Sequence, residues 1–282
     1  ENNALVVGEK VSKLCEAYDE EIKNDVSINE SRSATIDERI IVKTESKINT
    51  YDAVETVYGL GYAFIQFENL ESAQEAYANY ENQGYILLND CYITLSDRND
   101  EENEYSDSMW GYTDTQAFET VELLKNNSYE DVVVGVIDTG VDYTHELLTD
   151  RITKNTFNFS SSGNENDCMD DEGHGTQVAG VITQCTPENV KIQPYKLLDN
   201  KGRATMSQVI CLVEYITASK DKPDIINMSL GIFDETDDFY IQLFKKLIDS
   251  DITLVASAGN EHMDARRSLP ACVEECITVS AC

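Results

Sequence analysis

A histidine between two glycines is the residue of this sequence best placed to do chemistry. The chain contains three histidines, and His174 lies in the stretch DDEGHGTQVAG, between Gly173 and Gly175 and directly before a pattern typical of a helix. Taken alone, such a histidine is more often a loop residue or a helix cap. Its role therefore depends on which other polar side chains the fold brings next to it.

An aspartate at the end of an apolar run is the candidate partner of His174. Asp138 ends the run VVVGVID, where a carboxylate is costly to remove from water unless a donor pairs with it. It either caps a turn, for which Thr139 and Gly140 are suited, or holds a partner. A buried carboxylate bonded to one imidazole nitrogen stabilises the imidazolium that forms when the other nitrogen takes a proton. We therefore expect Asp138 and His174 to form a proton-transfer pair.

An asparagine after another apolar run adds a third polar group. Asn260 ends the stretch LVASAGN, and its side-chain amide can donate a hydrogen bond to an oxyanion. Such a contact typically contributes about 3–4 kcal/mol in a transition state.

The elements that carry these residues predict an α/β fold with a doubly wound parallel sheet. Near-continuous apolar runs, as expected for strands covered on both faces, alternate with segments of helical spacing. In such sheets functional side chains gather at the carboxyl ends of the strands. The predicted strands are residues 132–138, 190–198, 224–230, 251–260 and 276–281.

The sequence before the parallel sheet divides into three parts. Residues 1–37 form a helical and polar extension that we expect to be peripheral, with its apolar helical positions at Val11, Leu14, Cys15, Tyr18 and Ile22. Residues 38–96 read as a compact α+β domain. Residues 97–108 hold six acidic side chains, one arginine and no aliphatic residue, which predicts an exposed linker. The sheet domain is then residues 109–282.

Charge and composition exclude some partners. The formal net charge is -32, from 53 acidic and 21 basic residues, and this charge repels phosphate backbones and anionic lipid headgroups. We therefore expect neither nucleic acid nor a membrane as a partner, and no apolar run is long enough to span a bilayer. Eight cysteines occur without C-x-x-C pairs, so we assign no zinc site. Of these, Cys272 and Cys276 are spaced so that they could pair.

Four ordered motifs resemble those of the subtilisin-like serine proteases (subtilases, peptidase family S8). They are VGVIDTGVDYTHELL, GHGTQVAGVI, PDIINMSLG and LVASAGN. The resemblance implies that Asp138 orients the imidazole, that His174 is the general base and that Asn260 lines an oxyanion hole. It also implies two edge segments that bind an extended polypeptide substrate. These segments are Gly202, Arg203 and Ala204 on one side, and Ser229, Leu230 and Gly231 on the other.

The resemblance also suggests how the whole precursor is organised. Residues 38–96 resemble the subtilase propeptide, a ferredoxin-like α+β domain that assists folding and then blocks the cleft as an intramolecular inhibitor. The acidic linker lies where members of the family are cut during maturation. We expect a monomer that is secreted or displayed at the cell surface, with its signal peptide outside the given chain.

The sequence departs from the family in several positions. No G-T-S occurs, so the nucleophilic serine segment is absent up to Cys282, and we expect a fragment that is inactive as given. Gln177 replaces a second histidine, which we expect to affect packing only. Leu147 replaces an acidic residue that binds calcium in many relatives, so we assign no metal site and no cofactor, while a structural calcium ion stays an open alternative without an assigned site. We interpret His145 as a structural loop residue and His262 as solvent-exposed.

Three hypotheses follow, and the first is the leading one. The chain is the N-terminal part of a secreted serine endopeptidase precursor, or a pseudoprotease that binds peptides and never carried the serine. In the third hypothesis, residues 39–96 are an inhibitor fused to a degenerate domain. A G-T-S-x-A helix start in the coding sequence after Cys282 supports the first hypothesis, and a stop codon supports the second.

Overall fold

The computed structural model describes residues 2–22, 35–95, 110–125, 129–160, 167–233 and 237–281. The acidic segment 97–108, Met109 and Cys282 lie outside the described residues. The helices are α1 (Asn2–Ile22), α2 (Leu70–Asn82), α3 (Trp110–Asp114), α4 (Ala117–Leu124), α5 (His174–Gln184), α6 (Met206–Ala218) and α7 (Asp238–Ile248). The strands are β1 (Thr35–Lys43), β2 (Ala53–Gly59), β3 (Tyr62–Phe67), β4 (Ile86–Leu95), β5 (Val132–Asp138), β6 (Phe157–Asn158), β7 (Val190–Lys196), β8 (Arg203–Thr205), β9 (Ile225–Met228), β10 (Leu230–Phe233), β11 (Thr253–Ser257), β12 (Ser268–Leu269) and β13 (Ile277–Val279).

A parallel sheet forms the centre of the C-terminal unit, which we define as residues 110–281. Its strand order is β13-β11-β9-β5-β7-β6, and each neighbouring pair is parallel. Alternate residues of β5 separate its two faces, with Val134 and Val136 in the core beside α5 and Ile137 in the core that contains α6 and α7. The predicted doubly wound α/β sheet is therefore confirmed.

The helix α6 is buried on most of its surface because it lies between two layers. Its first turn is closed by a capping box, in which the Thr205 hydroxyl accepts from the Gln208 backbone and the Gln208 side chain accepts from the Thr205 backbone. Residues on all sides of the helix, including Val209, Cys211 and Leu212, are fully buried. A surface helix would be apolar on one side only, so α6 needs cover beyond the parallel sheet.

A second, antiparallel sheet supplies part of that cover. Its order is β12-β10-β4-β1-β3-β2, and β8 also pairs with β4. Strands β1 to β4 come from residues 35–95, which we define as the N-terminal unit, while β8, β10 and β12 come from the C-terminal unit. The helix α2, capped by the Asn69 side chain, covers one face through Ala73, Ala76 and Tyr80. The other face, with Ile41 and Phe64, joins the core around α6.

The first helix is not peripheral, and this corrects the expectation from the sequence. Ala4, Val7, Val11 and Leu14 are between 0% and 4% exposed and belong to the same core as α6. Helical spacing located this apolar stripe but could not show that a distant helix would cover it. The side chains of residues 15–22 and residues 23–34 lie outside the description. No helix among the described residues combines the length and apolar character needed to cross a bilayer.

Candidate active site

Asp138 and His174 meet at the carboxyl end of the parallel sheet. Asp138 is the last residue of β5 and is 0% exposed, while His174 is the first residue of α5. The imidazole Nδ1 lies 2.8 Å from Oδ1 and 3.0 Å from Oδ2 of the carboxylate. A carboxylate only accepts, so this contact directs the ring proton to Nδ1 and leaves the lone pair on Nε2. The structure thus brings the sequence-predicted pair within hydrogen-bond distance, and its role in proton transfer stays a prediction.

Burial makes the Asp138 carboxylate a stronger base. Its pKa is raised because the group is removed from water, while hydrogen bonds from the His174 ring and from the Thr139 backbone act in the opposite direction. A carboxylate in this setting holds the Nδ1 proton and stabilises positive charge on the ring. The His174 side chain is 17% exposed, so the ring reaches the surface while its partner does not.

The glycines around His174 allow α5 to start against the end of β5. A Cβ atom on Gly175 would lie 2.1 Å from the Gly140 carbonyl oxygen and 3.0 Å from the Asp138 Cβ. Gly173, the N-cap of α5, has φ of 113°, a value that L side chains rarely adopt. The two glycines flanking the histidine therefore permit the close approach that the Asp138–His174 contact requires.

A hydrogen-bonded loop holds the start of α5 in place. The Asp170 carboxylate accepts from the Gly173 backbone at 2.8 Å and from the Thr176 backbone and hydroxyl at 2.9 and 2.6 Å. The Thr139 hydroxyl donates to Asp170 at 2.9 Å and accepts from the Gly175 backbone at 3.0 Å. Burial opposes the ionisation of Asp170, but these hydrogen bonds outweigh it and lower its pKa. Neither Thr139 nor Asp170 was predicted from the sequence to be a positioning group.

A buried lysine beside Asp138 was not predicted from the sequence either. Lys196 ends β7, pairs in register with Asp138 and is 2% exposed. Its ammonium donates to the Thr139 carbonyl oxygen at 2.5 Å and to the Asp171 carboxylate at 2.5 Å. The only sequence signal was its position at the end of an apolar strand, VKIQPYK. This lysine ties β7 to the turn after β5 and to the acidic loop before His174.

The two predicted substrate segments lie on either side of β4. In β10, Leu230 lies opposite Leu95 and Gly231 opposite Thr94, and Ser229 immediately precedes that strand. In β8, Arg203 lies opposite Thr94 and Ala204 opposite Ile93. The Leu95 backbone N–H donates to the Gly202 carbonyl oxygen at 3.0 Å. The chain's own strand is therefore inserted where the sequence predicts that an extended peptide would bind.

The remaining predicted residue, Asn260, is exposed and follows β11. Because β5 and β11 run parallel in one sheet, Asn260 lies beyond the same sheet edge as Asp138. Gly259 before it has φ of 87°, and a Cβ there would lie 2.4 Å from the Phe233 ring. The turn to Asn260 thus needs a glycine, and the oxyanion role of the asparagine stays a prediction.

The other two histidines, His145 and His262, are exposed. The Nδ1 atom of His145 accepts from the Leu147 backbone at 3.2 Å. Gln177 is also exposed. Within the described residues, no group of three or more His, Cys, Asp and Glu side chains could hold a metal ion, and the absence of a metal or cofactor stays a prediction. The described cysteines, including Cys272 and Cys276, are free thiols.

Sequence comparison points to one protein family. Residues 129–282 match the Subtilase family, Peptidase S8. The Extracellular serine proteinase of Thermus sp. (strain Rt41A) is 36% identical over 149 residues, which cover 52% of this chain and 35% of that protein. The Intracellular serine protease of Paenibacillus polymyxa is 34% identical over 163 residues, covering 53% of this chain and 49% of that protein. The chain thus spans half or less of the length of these two relatives.

A solved structure has the same fold across both units. The Epidermin Leader Peptide Processing Serine Protease (EpiP) from Staphylococcus aureus superposes with a TM-score of 0.59 at 18% identity, covering 85% of this chain and 68% of that one. At this identity the likeness concerns the fold alone. The family match covers more than half of the chain and includes Asp138, His174 and Asn260, and this protein therefore belongs to the subtilase family.

Proposed function

We propose that the protein to which this chain belongs is a serine endopeptidase that hydrolyses peptide bonds in polypeptides. The observation that carries the proposal is the contact of His174 Nδ1 with both carboxylate oxygens of Asp138, at 2.8 and 3.0 Å. A buried carboxylate that holds one ring nitrogen of a partly exposed imidazole is suited to general base catalysis.

In the proposed mechanism, His174 Nε2 takes the proton of a serine hydroxyl as that oxygen attacks the substrate carbonyl carbon. Asp138 stabilises the imidazolium that forms, and the Asn260 amide donates to the oxyanion of the tetrahedral intermediate. The imidazolium then gives its proton to the leaving amine, and water hydrolyses the acyl-enzyme by the same steps. These steps use no cofactor and no metal. The 282 residues contain no G-T-S, so we expect this chain alone to be inactive.

We propose that substrates bind as an added strand between β8 and β10. The position of β4 supports this, because it pairs with both strands, and main-chain pairing of this kind provides affinity that does not depend on sequence. While β4 is present, a substrate cannot occupy the same place. Residues 38–96 thus act as an intramolecular inhibitor, and cleavage in the acidic linker 97–108 separates the two parts.

Two further features of the proposal concern the whole protein. We propose that it is a monomer. The strands β8 and β10 that bind a substrate, and the strand β4 that blocks them, all belong to one chain, so no second copy is needed to form or to inhibit the site. We also propose that it is secreted or held at the cell surface. The names of two relatives support this location, the Extracellular serine proteinase of Thermus sp. and the Cell wall-associated protease of Bacillus subtilis.

The proposal is tested on the protein encoded by the complete open reading frame. We expect a G-T-S-x-A segment after residue 282, labelling of its serine by a fluorophosphonate, and hydrolysis of a peptide substrate. The variant Asp138→Asn should lower kcat by about 10⁴-fold and His174→Ala by about 10⁶-fold, the magnitudes typical of such triads. His145→Ala is the matched control and should retain activity.

A different outcome would favour the peptide-binding hypothesis. If the reading frame ends without a serine segment, or if the complete protein binds extended peptides without labelling or hydrolysis, the site is that of a pseudoprotease. Equal activity of His174→Ala and the unmodified protein would exclude the proposed mechanism.

A further inference from the structure

The helix α1 presents a continuous apolar face that is fully covered. Ala4, Val7, Val11 and Leu14 follow one another at intervals of three and four residues and are between 0% and 4% exposed. Val6, on another side of the same helix, is 47% exposed. A helix with this pattern buries one side against a partner and leaves the other in solvent. The residues that pack on the covered face of α1 therefore identify its partner within the protein.

The partners of this face come from both units. On the side of the N-terminal unit, Gly59 ends β2 beside Val7, and a Cβ on Gly59 would lie 2.3 Å from a Val7 methyl carbon. On the side of the C-terminal unit, a Cβ on Gly8 would lie 3.0 Å from the Phe159 ring and 3.5 Å from the Cys211 Cβ of α6. Glycine at both places lets the helix approach closely. The helix α1 thus lies between β2 and α6.

A shared hydrogen-bond acceptor fixes the position of α1 on the C-terminal unit. The buried Ser12 hydroxyl donates to the Phe159 carbonyl oxygen at 2.8 Å. The Gln208 side chain in the first turn of α6 donates to the same oxygen, also at 2.8 Å. Because a buried hydrogen bond is directional, it favours one register of α1 on the C-terminal unit, whereas apolar contacts alone would allow several. The face of α1 is therefore matched to this part of the C-terminal unit.

The N-terminal segment, by which we mean α1 together with the N-terminal unit, consequently contacts the C-terminal unit at two separate places. One contact is β4 between β8 and β10, and the other is α1 along α6 and Phe159. When two contacts are linked in one chain, release of either one is followed by rapid rebinding while the other holds. Loss of the second contact should therefore accelerate departure of the whole segment.

We propose that α1 is a second docking element of the inhibitory segment, which holds β4 between β8 and β10 after the chain has been cut between the two units. This inference rests on the proposed inhibitory role of residues 38–96 and extends it to the helix before them. The partner surface is the side of α6 together with the backbone at Phe159. Separation of the cut pieces then requires that both α1 and β4 leave.

The test uses the 282-residue chain with a recognition sequence for a site-specific protease inserted within residues 97–108. After cutting, the N-terminal piece is followed by its rate of dissociation from an immobilised C-terminal piece. The variant Val11→Asp places a carboxylate in the buried face and should raise the dissociation rate at least about tenfold. The matched control Val6→Asp places the same charge on the exposed side of the helix and should dissociate like the unmodified chain.

A milder variant covers the case in which Val11→Asp does not fold. Ser12→Ala removes one buried hydrogen bond without adding charge and should raise the dissociation rate by about two- to tenfold. Unchanged rates for Val11→Asp or for Ser12→Ala would overturn the proposal. Because the assay measures retention and not hydrolysis, such a result would leave the peptidase proposal intact, and absence of a serine in the complete protein would leave the docking result intact.

Discussion

Replacing Asp90 with asparagine should destabilise the protein strongly, because it removes the charge at a buried contact between the two units. Asp90 in β4 and Arg39 in β1 are 0% and 1% exposed, with the Arg39 Nη1 2.9 Å from Asp90 Oδ2. The Ser207 backbone N–H at the start of α6 donates to Asp90 Oδ1 at 3.0 Å, and its hydroxyl donates to Oδ2 at 2.6 Å. Removing one partner of a buried ion pair typically costs about 3–5 kcal/mol.

This magnitude is large against a total free energy of unfolding of about 5–15 kcal/mol for a typical domain. The assay is urea unfolding of the 282-residue chain, followed by circular dichroism, for Asp90→Asn, Arg39→Met and the double variant. We expect each single variant to lose about 3–5 kcal/mol, and the double variant to lose clearly less than their sum because neither charge of the pair is then buried. Lys13→Met, which removes the exposed ion pair with Glu9, is the control and should leave the midpoint unchanged. The reasoning would be refuted if each single variant lowered the free energy of unfolding by less than about 1 kcal/mol and the two losses were additive, since solvent-exposed ion pairs contribute in that range.

Three other predictions concern the site and its surroundings. Gly175→Ala would place a Cβ 2.1 Å from the Gly140 carbonyl oxygen and should break the Asp138–His174 contact. We expect a low-field proton NMR signal from His174 Nδ1 in the unmodified chain, its loss in Gly175→Ala, and its retention in Gly180→Ala, where a Cβ would meet nothing within 4 Å. The pKa of Asp170 is lowered in the folded protein, so its carboxylate contributes fully to stability above the pKa of an unfolded aspartate, about 3.9. This contribution is lost as the pH falls through the lower folded value. If stability falls with acid in the same way in Asp170→Asn as in the unmodified chain, this prediction is wrong. Burial raises the pKa of the Cys168 thiol to about 12, so this thiol should react with a disulfide reagent at pH 8 only after unfolding, as mass spectrometry of the labelled peptide would show.

Local patterns in the sequence were sufficient for the elements of the parallel sheet and for the pair at its edge. Apolar runs located β5, β7, β9 and β11 because strands covered on both faces leave few polar positions. The motif glycines placed His174 at a helix start, and the chain turns there in the predicted way. The boundaries were less accurate, since the run 224–230 contains β9 and also the first residue of β10, a strand that belongs to the other sheet.

The tertiary structure alone decided the contacts between distant parts of the chain. Ser12 and Phe159 are 147 residues apart, and Asp90 and Ser207 are 117 apart, so no periodicity within one segment could reveal either contact. The same is true of Lys196, whose polar role depends on the turn after a neighbouring strand. A sequence pattern shows which side of a helix or strand must be buried, because that follows from local geometry. Which partner covers it depends on the packing of the whole chain, and this is why the expected peripheral helix α1 proved to be part of the core.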